Sequence, residues 1–412
     1  MSALARTKTA CKTLGMLPEN KVNAVLKGVA SALMREQKEI LAANANDLSR
    51  MNEDDPRFDR LALSPARLAG IAGDMKRVAA LPSPLGRILE ERTRPNGLHL
   101  TKVSVPLGVI GVIYEARPNV TADVFALCFK SGNSCVLKGG RDARHSNRAL
   151  AAVIRGALEK HGIDPDVLLL LPPDRRSASA LMTAHGMVDV LIPRGGRSLI
   201  EHVRRNARIP VIETGAGIVH TYIDASADVK KAAKIVFNAK TRRPGVCNAL
   251  DTLLIHRSLA GKLPEIVAPL LRKRVLIFAD DAAFGVLKKV CDPALLRRAQ
   301  RRHFGVEFLS LKMSIRTVKN LDEALAHIAR YGSRHSEAIV ARDKKIIGRF
   351  LYEVDAAAVY SNASTTFTDG AQFGMGTEIG ISTQKIHARG PMALPELTSY
   401  KWIVRGRGQV RP

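Results

Sequence analysis

The chain has 412 residues, 46% of them hydrophobic, enough for a sizeable core and against global disorder. Lys and Arg number 64 against 38 Asp and Glu, a formal net charge of +26 that points to acidic substrates, an anionic partner or a biased surface. Aromatics at 4% argue against a base-stacking platform, no apolar run reaches membrane-spanning length, and the 5 scattered cysteines contain no C-x-x-C pair. A zinc knuckle, a redox dithiol and a disulfide framework are therefore set aside, no metal is expected, and a reducing, cytoplasmic compartment is.

Residues 2–51 carry Leu26, Val29, Leu33, Ile40 and Leu41 at helical spacing and read as helix. The first ten residues run straight into that pattern, which makes a transit peptide the weaker reading of them. A second helical stretch, Ala66–Ala80, ends at the breaker Pro82-Ser83-Pro84. Alternating polarity over Glu90–Val103 predicts a hairpin, and the apolar run Val109–Tyr114 a strand buried on both faces. Helix Val120–Lys130, strand Ser134–Lys138, helix Ser146–His161 and strand Val167–Leu171 follow. Helix Ala178–His185, strand Val188–Ile192, helix Arg197–Asn206 and strand Ile209–Ile212 continue the alternation. Such a βαβ rhythm predicts an α/β fold with a doubly wound parallel sheet. After Asp224 it restarts with helix Val229–Phe237 and strand Leu250–Ile255 and continues to Asn362, as a second α/β domain would. Tyr400–Arg405 reads as an exposed edge strand.

Neither G-x-G-x-x-G in the first βα turn nor a P-loop is present. Lys138-Gly139-Gly140-Arg141 and Pro193-Arg194-Gly195-Gly196-Arg197 each follow a predicted strand and open a helix, where backbone N–H groups favour anions. Ordinary glycine turns on a basic protein are the other reading of both. Cys247 follows a Pro-Gly turn among Lys240, Arg242 and Arg243, an electropositive setting for a thiol. Cys128 and Cys135 read as small core hydrophobes.

Several longer segments carry a resemblance. They are Val105–Asn119, Ile192–Arg197, the stretch Asn238–Asn248 around Cys247, Asn362-Ala-Ser, Phe367-Thr-Asp-Gly, Phe373-Gly-Met-Gly and Ile381–Pro391. Together they resemble the gamma-glutamyl phosphate reductase branch of the aldehyde dehydrogenase superfamily, from about Val105 to Arg411. The resemblance implies two doubly wound α/β domains plus a small oligomerisation hairpin. The expected parts are an NADP-binding domain over 1–89 and 104–222, a cysteine-bearing catalytic domain over 223–393, and oligomerisation strands over 90–103 and 394–412.

The resemblance also implies roles. Cys247 is the nucleophile and Asn119 the side-chain half of an oxyanion hole, a helix N-cap being the other reading of Asn119. Lys138 and Gly139 lie at the adenosine ribose, and Pro193, Arg194, Gly195 and Gly196 at the pyrophosphate. Glu307 lies near the nicotinamide ribose, a solvated strand-end charge being its alternative. Arg117, Arg243, Lys385, His387 and Arg389 are the candidate cations for a substrate that carries a phosphate and an α-carboxylate. NAD-preferring members of the superfamily often place a glutamate soon after the strand-end lysine; Arg141 stands there here, which implies NADPH. Glu213 sits where aldehyde-oxidising relatives carry a hydrolytic base, which an acyl-phosphate reduction does not need.

The implied activity is reduction of an acyl phosphate, L-glutamyl 5-phosphate, to its semialdehyde in proline synthesis. Its partners would be a second copy of the chain, as dimer or tetramer, and functionally the glutamate kinase that makes the substrate. An aldehyde dehydrogenase with hydrolytic deacylation is the alternative. A basic nucleic-acid-binding protein is the alternative of another class, but the charge is spread along the whole chain with no reader motif, so only non-specific, salt-sensitive adsorption is expected. The basic runs at 141–144 and 296–303, with Lys312 and Arg407, replace no motif residue.

Overall fold

Two parallel sheets, each built from short apolar runs, carry the chain in this computed structural model, which describes residues 2–55 and 57–411. Residues 1 and 412, which bound two of the expected segments, and residue 56 lie outside the description. By internal contacts the chain divides into one unit of residues 1–214, 370–380 and 386–412, and another of 215–369 and 381–385.

The first unit holds helices α1 (Ala3–Leu14), α2 (Glu19–Arg35), α3 (Gln37–Leu48), α4 (Phe58–Leu61) and α5 (Pro65–Ala80). They precede strands β1 (Ile88–Thr93), β2 (His99–Pro106) and β3 (Val109–Tyr114). Then alternate α6 (Asn119–Lys130), β4 (Ser134–Lys138), α7 (Arg144–Lys160), β5 (Leu168–Leu170), α8 (Arg175–Met182), β6 (Val190–Arg194) and α9 (Arg197–Asn206). The sheet order is β5-β4-β3-β6, with every pairing parallel. All six residues of β3 are buried. Gly111 belongs there because a Cβ would come within 3.0 Å of Leu191 and 3.1 Å of Leu181. Lys130 is buried at the end of α6, where its amine bonds Glu19 and Asn23 of α2 and the carbonyl of Ala79 in α5.

The predicted single helix over 2–51 is three helices. Pro18 is extended at the start of α2, and Glu36 leaves helical geometry (φ −89°, ψ 19°) between α2 and α3. The expected strand Ile209–Ile212 reduces to a single bridge between Val211 and Leu191. Pro210 has no N–H to extend a ladder there, and only its carbonyl takes part, accepting from Leu191. The hairpin is present, with Thr93 opposite His99. The tail strand, Thr398–Arg405, pairs antiparallel with β2 of the same chain, from Thr398 opposite Pro106 to Arg405 opposite His99. Hairpin and tail, the expected oligomerisation strands, are thus joined within one chain, which meets their facing backbone donors.

The second unit holds β7 (Val219–Ile223), α10 (Val229–Thr241), β8 (Leu250–His256), α11 (Leu263–Arg272), β9 (Leu276–Ala279), α12 (Asp281–Leu287) and β10 (Leu296–Arg298). It continues through β11 (Lys312–Val318), α13 (Leu321–Tyr331), β12 (Ser336–Val340), α14 (Lys344–Glu353) and β13 (Ala358–Ser361). Its seven strands run β10-β9-β11-β8-β7-β12-β13, again parallel. β7 lies between β8 and β12, so the break between units falls before it, after Thr214. Residues 386–393 join the first unit, where Met392 exchanges backbone hydrogen bonds with Ile379 and Gly380 and is buried in that unit's core. Among the described residues no helix is long and apolar enough to cross a membrane.

Candidate functional site

In the first unit the strand order reverses between β3 and β6, and ligands of open α/β sheets bind at the carboxyl ends of strands flanking such a reversal. Gly195 and Gly196 follow β6 and open α9. The carboxylate of Glu115, just past β3, accepts from the Gly196 N–H at 2.9 Å. A Cβ on Gly195 would lie 2.5 Å from that carboxylate and 2.7 Å from Leu199, so a side chain there would have to push both aside. Thr214 donates to the carbonyl of Pro193 at 2.7 Å, and the buried Nε of Arg194 has no hydrogen-bond partner. Sequence reasoning did not find Glu115; a charge one residue beyond a buried strand was the available signal.

Lys138 ends β4, half-buried, and burial lowers its pKa against the opposing pull of Asp174. Gly139 has no room for a side chain, because Asn147 and Tyr114 stand where one would go. Arg141 is exposed and starts the 3₁₀ turn Arg141–Ala143 that leads into α7. A cleft of about 440 Å³ opens beside it, lined by Gly139, Arg144, His145, Asn147, Arg148 and residues 170–173. Arg144 and Arg148 were missed as candidates, although their spacing of four puts both on one face of α7.

Asn119 is the first residue of α6 and caps nothing; Pro118 holds the cap position. Its Nδ2 instead donates to Asp123 at 2.8 Å, one turn along the helix. That sets aside the N-cap reading. Part of Asp123 reaches solvent, yet desolvation pushes its carboxyl up to about 7, with Asp74 and Glu378 adding to the rise and Asn119 and Arg194 opposing it. Arg117 is half-buried in the β3–α6 connection. Glu213 lies 3.9 Å from the Arg204 guanidinium.

In the second unit Cys247 is half-buried in the loop from α10 to β8. Asn248 beside it is buried, and its Nδ2 donates to the carbonyls of Thr366 (3.3 Å) and Thr368 (3.0 Å). Its own carbonyl accepts from Thr365 Oγ1 at 2.8 Å. On the other side the carbonyl of Cys247 occupies the space of a side chain at 217, so residue 217 must be glycine. The N–H of Gly217 donates to Glu307 Oε1 at 3.0 Å, which makes Glu307 a support behind the cysteine loop and not merely a solvated charge. Arg243 is exposed on the same loop. Lys385, also of this unit, forms an ion pair with Asp355 at 2.9 Å. His387 and Arg389 belong to the first unit, where His387 Nε2 bonds the carbonyl of Glu396 at 2.8 Å. Cys128 and Cys135 are buried as expected, and so is Cys291.

Residues 1–277 match the aldehyde dehydrogenase family. The gamma-glutamyl phosphate reductase of Pelodictyon phaeoclathratiforme is 57% identical over 409 residues, 99% of this chain and 98% of that protein. That of Parabacteroides distasonis is 57% identical over 408 residues, again 99% and 98%. The crystal structure of gamma-glutamyl phosphate reductase from Thermotoga maritima superposes with a TM-score of 0.94 at 40% identity, covering 100% of this chain and 99% of that one. An acetylating aldehyde dehydrogenase from Geobacillus thermoglucosidasius, at TM-score 0.72 and 18% identity over 100% and 97%, shares the fold.

Asp123 carries a pH dependence of defined sign. A carboxyl raised from its ordinary 3.8 to about 7 favours the folded state when protonated, so its contribution is complete below the unfolded value and is lost as pH rises through about 7. Asp123→Asn removes this titration. Thermal melts at about pH 5 and about pH 8 should show a smaller loss of Tm in the variant than in the unaltered chain. Equal losses would mean that Asp123 ionises without penalty.

Proposed function

The chain belongs to the aldehyde dehydrogenase family and, within it, to the gamma-glutamyl phosphate reductases, and on that footing we propose that Cys247 carries the reduction of L-glutamyl 5-phosphate to L-glutamate 5-semialdehyde, the second step of proline synthesis from glutamate. What supports the reading is the full-length agreement with the reductases, because the segments around Cys247 and over Ile381–Pro391 fall inside it. The Cys247 thiolate attacks the acyl carbon, the bond from that carbon to the phosphate oxygen breaks, and inorganic phosphate leaves a thioester on the chain. Asn119 donates to the developing oxyanion with the N–H not given to Asp123, and the backbone N–H of Cys247 is the second donor. When bound, NADPH supplies the hydride that takes the thioester to the aldehyde and returns Cys247 to the thiolate. No water attacks in this direction, so Glu213 has no hydrolytic task.

The residues present fit a phosphorylated dinucleotide. Lys138 ends β4 and Gly139 follows it, the cleft beside them is rimmed by Arg144 and Arg148, and the Pro193–Gly196 turn leads into the N-terminus of α9, where Glu115 holds the Gly196 N–H. Glu307 is the ribose contact on the nicotinamide side. Arg243 and Arg389, with Arg117, answer the substrate's phosphate and α-carboxylate. Lys385 and His387 are weaker assignments, since Asp355 and the Glu396 carbonyl already engage them.

The reaction run in reverse tests the reading: glutamate 5-semialdehyde with NADP should be oxidised only when phosphate is present. Cys247→Ala should abolish this turnover with the fold intact, and Asn119→Ala should lower kcat by roughly 10²–10³. Phosphate-independent oxidation, or substantial activity in Cys247→Ala, would overturn the mechanism.

Cofactor choice rests on charge. Lys138 and Arg141 favour a 2′-phosphate through charge-assisted hydrogen bonds worth about 1.5–3 kcal/mol each. One such contact corresponds to roughly tenfold or more in binding. Arg141→Glu should swing kcat/KM toward NAD. An unchanged NADP to NAD ratio at low salt would remove Arg141 from the site and leave Arg144 and Arg148 as the residues to alter next.

The sheet β1-β2-tail is the proposed assembly surface of a homodimer or higher closed oligomer. It exposes Ile88, Leu89, Tyr400, Trp402 and Val404, and both outer strands keep unpaired edges, a liability for a lone chain. Deleting residues 398–412 should lower the mass seen by light scattering; an unchanged mass would refute the role of the tail.

A further inference from the structure

The cysteine loop is bracketed in sequence by two buried, oppositely charged residues that the reaction above does not use. Lys240 lies in the last turn of α10 and Asp251 is the second residue of β8; their side chains are 0% and 2% exposed. The Lys240 amine donates to the carbonyl of Leu250 at 2.8 Å and lies 3.8 Å from Asp251 Oδ1. It thereby joins the two ends of the loop that holds Cys247. The Asp251 carboxylate reaches further: Oδ1 accepts from the N–H of Phe308 at 3.0 Å, and Oδ2 from the N–H of Val219 at 3.4 Å.

These two donors are neighbours of the residues already found behind Cys247. Val219 stands two residues after Gly217, whose Cα abuts the Cys247 carbonyl, and Phe308 follows Glu307, which holds the Gly217 N–H. The segments 217–219 and 307–308 are therefore tied to each other by Glu307 and to the stem of the cysteine loop by Asp251. A shift of the Asp251 carboxylate moves Gly217, and a shift of Gly217 meets the Cys247 backbone directly.

We propose that Lys240 and Asp251 are a positioning pair that sets the stance of Cys247 by closing its loop at the stem and locking that stem to the segments behind it. The proposal rests on the catalytic reading of Cys247 given above. Stability alone does not call for such a pair, since a buried ion pair costs desolvation and apolar replacements are often as stable or more so. Burial acts on both partners in the expected sense, lowering Lys240 to about 8 and raising Asp251 to about 7, each held back by the other.

The test uses Lys240→Met, Asp251→Asn and the double variant of the full chain. Three quantities are read: Tm, kcat and KM in the phosphate-dependent assay, and the rate at which iodoacetamide alkylates Cys247, followed on its peptide by mass spectrometry. Each single variant leaves one charge buried without its counterpart and should lose Tm; the double variant, neutral and similar in size, should regain it. A misplaced nucleophile lowers turnover more than binding, so all three variants should lose about tenfold or more in kcat while KM changes about threefold or less. The double variant should keep that loss and an altered alkylation rate after Tm has recovered. Recovery of kcat and alkylation together with Tm would overturn the proposal, as would single variants that lose Tm alone. If the unaltered chain shows no phosphate-dependent turnover, the catalytic reading fails instead, and the alkylation rates of the folded double variant still decide whether the pair sets the thiol.

Discussion

The carbonyl of Cys247 and the Cα of Gly217 are so close that no side chain fits between them, and the stance of the thiol depends on this contact of backbone with backbone. The loop is closed on its other side by Asn248, whose amide and carbonyl are both engaged by residues 365–368. Each of these contacts is made by main chain or by a side chain with little rotational freedom. The Cys247 loop is thus placed by rigid surroundings, which suits the role proposed for its thiol.

The first unit carries the residues proposed to receive a phosphorylated ligand. Lys138 and Arg194 end β4 and β6, Arg144 and Arg148 line the cleft beside Gly139, and burial disfavours the charged state of Lys138. Glu115 intrudes on this basic mouth and takes the N–H of Gly196, a donor that a phosphate oxygen would otherwise use. This internal carboxylate ties the turn between β6 and α9 to the end of β3.

Much of this was legible in the chain itself. The apolar runs Val109–Tyr114, Ser134–Lys138 and Leu250–Ile255 became strands at or within a residue of their expected ends, because a strand buried on both faces leaves a continuous apolar signature. The turn before Cys247 was legible because turn chemistry is local, whereas Lys240, counted among its cationic neighbours, is buried and turned to Leu250 and Asp251. What escaped was non-local or depended on one backbone angle. Asp251 reaches Val219 and Phe308 across 32 and 57 residues, a pairing that no spacing rule contains. The alternative reading of Asn119 as a cap followed from the liking of helix starts for asparagine, yet the helix begins one residue earlier than that role requires, and the amide turns along it to Asp123. The break at Glu36 was invisible because its neighbours keep helical periodicity through it.

The tail strand gives the chain an order of assembly. Residues 215–369 form nearly all of the second unit as one uninterrupted stretch, so that unit can close while the polypeptide is still being made. The first unit cannot: β2, near residue 100, waits for a partner that is translated almost three hundred residues later, from Thr398 onward. Until then one edge of β2 is open beside the hairpin. The three-stranded sheet is therefore completed only after the whole of residues 215–369 has been made.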